Sequence, residues 1–193
     1  MAKVSTVKGR QPLVPLLPDD QFTPMMRDVV ERSSKRSGRG VVNSARAFAN
    51  AGDLGAVTRR FFEDAWTYGT LPVPLRLLIR YKVSTTNACV YCTTHQIQLL
   101  EKAGVGRQKL DNIQASDTHP AFDERERAAL AFAEAMTRDA ANIPGDIESR
   151  FVAIFTPAER TEIALVAATM GLLNKVNDAL RVPLEGQESE LVG

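Results

Sequence analysis

The 193 residues include only two cysteines, two histidines and 6% aromatics, and neither sign of charge predominates, with 24 Lys and Arg against 23 Asp and Glu. Two thiols exclude a disulfide framework, and a chain of this length needs none, since it buries on the order of 70% of its unfolded surface. A net charge of +1 gives no electrostatic footprint for nucleic acid and no polybasic anchor for an acidic membrane. No run reaches the ~18 consecutive apolar residues of a membrane span. The longest uncharged, largely apolar stretch runs only from Ala164 to Asn174. The first residues are interrupted by Pro12, Pro15 and Pro18, so they lack the continuous apolar region of a secretory signal. Also missing are a glycine-rich phosphate loop, a G-x-S-x-G elbow, an H-E-x-x-H pair and any sustained period-two alternation. These absences lead to the expectation of a cytoplasmic protein that binds neither nucleic acid nor membrane and keeps its thiols reduced.

What is present is helical periodicity, which predicts an all-α fold of about eight helices. Residues 1–22 are Pro-rich and aperiodic and read as an arm, 23–185 as a single helical domain, and 186–193 as a flexible tail. Thr23 can cap a helix whose first position is Pro24, with Met26, Val29 and Val30 on its inner face. The run SSKRSGRG from Ser33 ends that helix and leaves Lys35, Arg36 and Arg39 in a solvated loop. Val57, Phe61, Ala65 and Tyr68 fall on one side of a third helix and read as core. Pro74 opens another helix, Val90 to Ala103 forms the next, and Asp123 caps one carrying Ala129, Phe132, Ala133 and Met136. Thr156-Pro157 with Glu159 opens the longest helix, to about Leu180. Its two apolar stripes, Ile163, Val166, Ala167, Met170 and Leu165, Thr169, Leu172, Val176, predict one face in the core and one against another subunit.

Both cysteines lie in NACVYCTTHQ, as Cys89-Val90-Tyr91-Cys92, with His95 three residues further on. Two cysteines placed at random take this spacing on the order of 1% of the time. At a helix start the two thiols face one another closely enough to form a small disulfide ring, and the helix dipole favours a thiolate there. His95, one turn beyond Cys92, is placed to exchange a proton with its sulfur. Three readings follow: redox-active thiols, a zinc site, or two packed structural cysteines. Zinc wants about four ligands, and the sequence offers only His119 besides these three, in a loop far along the chain.

The segment VSTTNACVYCTTHQ, the GVG turn, ERERAALAFAEAMTRD and FTPAERTEIALVAATMGLLNKVNDAL together resemble the carboxymuconolactone decarboxylase-like superfamily on its AhpD-like alkylhydroperoxidase side. The similarity runs from about Leu71 to Glu185. It implies an all-helical domain assembling as a homo-oligomer, a trimer or hexamer, and a thiol peroxidase needing no metal, flavin or haem cofactor. It further implies that Cys92 attacks an organic hydroperoxide and becomes a sulfenic acid, that Cys89 resolves it to a disulfide, that an external protein or thiol reductant restores the pair, and that His95 relays protons. The AhpD-like pattern has its histidine four residues after the second cysteine rather than three, and a glutamate twelve before the first, where this chain has Leu77. Glu63, Glu124 and Glu126 are the candidates to stand in for that carboxylate, and Tyr91 and Asn174 could line the pocket. A decarboxylase-type lyase and a non-catalytic, redox-sensing helical oligomer are the alternatives; the former has no evident use for a dithiol.

Overall fold

Local capping chemistry sets most of the helix starts. In this computed structural model, which describes residues 11–187, there are nine α-helices, three short 3-10 turns and no strand among the described residues. The helices are α1 Pro24–Ser37, α2 Asn43–Phe48, α3 Asp53–Thr67, α4 Val73–Thr86, α5 Val90–Lys102, α6 Arg107–Asp111, α7 Glu124–Asp139, α8 Gly145–Ile154 and α9 Pro157–Leu180. Thr23 accepts a hydrogen bond from the Met26 amide and Pro24 takes the first position of α1. Asp123 and Glu126 form a reciprocal capping box on α7, and Thr156 and Glu159 form another on α9. The run SSKRSGRG ends α1 at its Gly38, whose left-handed conformation closes the helix after Ser37. Lys35 and Arg36 therefore occupy its last turn rather than a loop, and Arg36 pairs with Glu63. The ends of the expected arm and tail, residues 1–10 and 188–193, lie outside the described residues.

The described chain divides into two compact units, residues 69–175 and residues 11–68 with 176–187. In the second, residues 11–18 form no helix and lead into a 3-10 turn at Asp19–Gln21, with the Leu13 amide bonded to the Leu180 carbonyl and Asn50 donating to the Pro15 carbonyl. Ser44 donates to Asn177, and Asn43 donates its amide to the Glu185 carboxylate, so both sequence ends of this unit meet on α2. The expected inner stripe of α3 is wrong. Val57 and Phe61 are half exposed and Tyr68 is 73% exposed, whereas Gly55, Ala56, Arg59 and Phe62 are buried. The reason is Gly55. Any Cβ there would overlap the Phe48 carbonyl oxygen, so the close approach of α3 to α2 fixes the helix rotation and turns Phe62 against Phe48, while Phe62 stacks on Trp66 one turn further along α3. The apolar pattern alone offers two adjacent stripes, and only this backbone contact chooses between them.

In the unit of residues 69–175, α4 packs against both α5 and α7 and is buried on nearly all sides. The Glu162 carboxylate on α9 accepts from the Thr70 and Leu71 amides and from the Thr70 hydroxyl, anchoring the segment that leads into α4. Of the two stripes on α9, Ile163, Val166, Ala167 and Met170 are buried as expected, while Leu165 and Leu172 are exposed and Thr169 is buried. By length and composition this helix is apolar enough to cross a membrane, but 44% of its most apolar 18-residue stretch is buried inside the protein. The charged residues Glu159, Arg160, Glu162, Lys175 and Asp178 fall towards its ends.

Lys82 on α4 is 1% exposed, a position that costs an ammonium heavily unless it is paired. It donates to the Ile113 carbonyl at 3.1 Å and to Glu134 on α7 at 2.6 Å, and Arg138 closes on the other Glu134 oxygen. Burial acts to raise the Glu134 carboxyl, but the hydrogen bonds from Lys82 and Arg138 outweigh it and hold the group below its ordinary range. A depressed carboxylate stabilises the fold above its unfolded value, near 4.5, and that contribution disappears as pH falls through the folded value. Glu134→Gln should therefore lower stability by about 1–3 kcal/mol at pH 7, by stranding Lys82. In urea denaturation the gap from the parent protein should close as pH falls below the ordinary carboxylate range.

Candidate active site

The two thiols sit where one helix ends and the next begins. Ala88 adopts a left-handed conformation with φ 57°, a region that non-glycine residues enter at a cost. That single residue closes α4 in a two-bond C-terminal motif: the Ala88 amide donates to the Thr85 carbonyl and the Cys89 amide to the Ser84 carbonyl, at 3.2 and 3.0 Å. Cys89 is then already the N-cap of α5. Its sulfur accepts from the Cys92 amide at 3.4 Å and its carbonyl accepts from the Thr93 amide at 2.9 Å. Cys92 occupies the third helical position, inside the turn whose free amides and aligned dipoles favour negative charge. The two cysteines are not joined in a disulfide, and both are buried. The electrostatics of the helix start and the exclusion of water thus act in opposite directions on the Cys92 thiolate.

A polar clamp holds this junction. Asn174 on α9 is fully buried; its amide nitrogen donates to the Ser84 hydroxyl at 3.3 Å and its oxygen accepts from Asn87 at 2.9 Å. Ser84 in turn donates to the Arg80 carbonyl. Asn174, expected as a pocket residue, therefore braces the end of α4 one helical turn before the cysteines. Tyr91 is buried on α5, and its ring stacks on that of His95 at a centroid distance of 4.3 Å.

His95 is only partly buried, and its Nδ1 lies 2.8 Å from the Tyr91 carbonyl oxygen. A carbonyl only accepts, so Nδ1 is the donor here, and in the neutral ring the lone pair is then on Nε2. The residue that shares the buried stripe of Cys92 is Gln96, followed one turn later by Leu100. It went unremarked in the sequence, although the AhpD-like spacing of four residues after the second cysteine points to position 96. Leu77 is buried and apolar. Of the carboxylates considered as its replacement, Glu63 is engaged by Ser33, Arg36 and Arg59, Glu126 by Lys109 and the start of α7, and Glu124 is exposed in the first turn of α7. Among the described residues no three His, Cys, Asp or Glu side chains gather in a way that could hold a metal ion.

Residues 52–135 match the carboxymuconolactone decarboxylase family model. No curated protein sequence matches the chain. Several solved structures share the fold. The debrominase Bmp8, a cysteine-to-alanine variant in complex with 2,3,4-tribromopyrrole, superposes with a TM-score of 0.79 at 23% identity, covering 95% of this chain and 96% of that one. The alkylhydroperoxidase AhpD core of an uncharacterized peroxidase-related protein from Ralstonia eutropha JMP134 gives 0.78 at 19% identity, with 95% and 97% covered. An uncharacterized peroxidase-related protein from Silicibacter sp. TM1040 gives 0.76 at 20% identity over the same shares.

The clamp makes a direct prediction. Asn174→Leu fills the same space but leaves the Asn87 amide without its acceptor and removes the donor to Ser84. It should cost about 2–3 kcal/mol in chemical denaturation, and exchange of the Cys89 amide hydrogen should accelerate with it.

Proposed function

We propose that this chain, whose residues 52–135 match the carboxymuconolactone decarboxylase family model, is a thiol-dependent hydroperoxidase working through a Cys89–Cys92 dithiol–disulfide cycle. The observation that supports this reading most is the placement of both cysteines on the first turn of α5, one as its cap and one at its third position. Two incidental core thiols have no reason to share a helix start.

In this reading the Cys92 thiolate attacks the terminal oxygen of an organic hydroperoxide. The O–O bond breaks, the alcohol leaves after taking up a proton, and the sulfur becomes a sulfenic acid. The Cys89 thiol then attacks the Cys92 sulfur, the S–S bond forms, and the oxygen departs as water with the Cys89 proton. An external dithiol, oxidised to its own disulfide, returns both thiols. His95 serves as proton carrier through Nε2, since Nδ1 is committed to the Tyr91 carbonyl. With Leu77 where the resemblance expects a glutamate, the imidazole lacks that carboxylate behind it, and turnover is correspondingly slow at neutral pH. The cycle asks for no metal or organic cofactor, and it belongs in a reducing compartment such as the cytoplasm, where thiol reductants regenerate the pair.

A second reading draws on the debrominase of the same fold. A dithiol can take bromine from a small bromoaromatic: the thiolate accepts the bromine, the ring carbon takes a proton, and the second thiol displaces bromide to give the disulfide. Parallel assays with cumene hydroperoxide and a bromopyrrole, each counting thiols lost per product formed, separate the two.

The roles are tested by substitution. Cys92→Ser should abolish hydroperoxide consumption, and Cys89→Ser should leave a sulfenic acid on Cys92 that a dimedone-type probe traps. Equal turnover by the parent protein and Cys92→Ser overturns the reading.

We also propose a homo-oligomer, a trimer or hexamer, supported by the exposed Leu165 and Leu172 on α9. Light scattering at micromolar concentration should give a multiple of the 21.1 kDa chain mass, reduced by Leu165→Glu with Leu172→Glu. A monomer mass for the parent protein refutes the assembly.

A further inference from the structure

Gln96 is a buried polar side chain whose hydrogen bonding is incomplete. It is 3% exposed, its amide nitrogen faces the Met170 sulfur at 3.9 Å, and its Oε1 has no donor among the described residues. Turning the amide over does not repair this, because the oxygen would then face a thioether, which donates nothing, and the NH2 group would be the one left unpaired. A buried acceptor without a donor is a standing cost in stability that an apolar side chain of the same size would avoid. Its position gives the cost a use. Gln96 follows Cys92 by one turn of α5, and Cys92, Gln96 and Leu100 form one buried stripe. Side chains so related stand about 5–6 Å apart at their Cβ atoms, so the two side-chain ends are neighbours on one face.

We infer that Gln96 is a substrate-contacting residue: its Oε1 accepts the terminal O–H of an organic hydroperoxide whose terminal oxygen lies against the Cys92 sulfur. The inference rests on the peroxidase reading above and specifies its substrate class. When a thiolate attacks that oxygen, the oxygen keeps its hydrogen while the O–O bond breaks, and carries it into the sulfenic acid. The hydrogen therefore needs an acceptor in the bound substrate, in the transition state and in the product alike. A carboxamide oxygen provides one without adding a charge to a buried site, whereas His95 is tied at Nδ1 to the Tyr91 carbonyl. The surroundings on this stripe, Leu100 and Met170, are apolar and fully buried, which suits the alkyl or aryl part of such a molecule. A dialkyl peroxide, having no O–H, leaves the acceptor unpaired and is excluded.

The test is Gln96→Met, with Gln96→Leu as a second apolar replacement, measured by three readouts on the full-length reduced protein. The melting temperature should rise by about 2–4 °C, since the unpaired acceptor is gone. The kcat/KM for cumene hydroperoxide should fall about tenfold or more, while the rate of Cys92 alkylation by iodoacetamide, which needs no such acceptor, should stay within about twofold of the parent. Unchanged peroxide kinetics in both variants overturn the inference. So does an equal fall in alkylation, which would mean that Gln96 acts on the thiolate, and so does a lowered melting temperature in both variants, which would make it a packing residue. If the parent protein itself consumes no cumene hydroperoxide, the peroxidase reading fails and this inference falls with it. An active parent with unaffected variants removes this inference alone.

Discussion

The whole candidate site depends on one residue serving two helices at once. The Cys89 amide completes the closing motif of α4, while its sulfur and carbonyl begin the hydrogen bonding of α5. No spacer separates the two elements, so the direction in which α5 leaves α4 follows from the left-handed conformation of Ala88. The strain at Ala88 is tolerable because two backbone hydrogen bonds close over it. Because the joint is made of backbone and one thiol, the position of the second thiol, three residues on, is determined by helix geometry alone.

The surroundings hold that joint from outside. Asn174 reaches both the last turn of α4 and Asn87, immediately after it, and Glu162 on the same helix grips the backbone before α4 begins. One long helix thus fixes both ends of the shorter one. The Lys82–Glu134 pair ties the middle of α4 to α7. A helix restrained at its start, middle and end transmits little motion to the cysteines, which suits chemistry that requires two sulfurs to meet at bonding distance.

Local signals were legible in the sequence wherever the controlling interaction spans only a few residues. Thr23, Asp123 and Thr156 each cap a helix through partners three positions away, and each was identifiable from its own neighbours. The cysteine pair was visible for the same reason, as was the buried stripe Ile163, Val166, Ala167 and Met170. What escaped depends on contacts distant in sequence or on a choice between two near-equivalent patterns. The rotation of α3 is set by Gly55 against the Phe48 backbone, which no apolar count reveals. A lysine in α4 reads as solvent-facing until Glu134, far along the chain, neutralises it. His95 is the imidazole nearest the thiols in sequence, but the uncharged residue beside it, Gln96, is the one that shares the inner face with Cys92.

The cap of α5 also sets helix stability against chemistry at that position. Oxygen-bearing side chains, Ser, Thr, Asp and Asn, are the strongest helix caps, and sulfur is a weak acceptor by comparison. Serine would fit the Cys89 site with almost the same volume and give α5 a firmer start. The residue that stands there is the poorer cap, and what it offers instead is a sulfur one helical turn from a second.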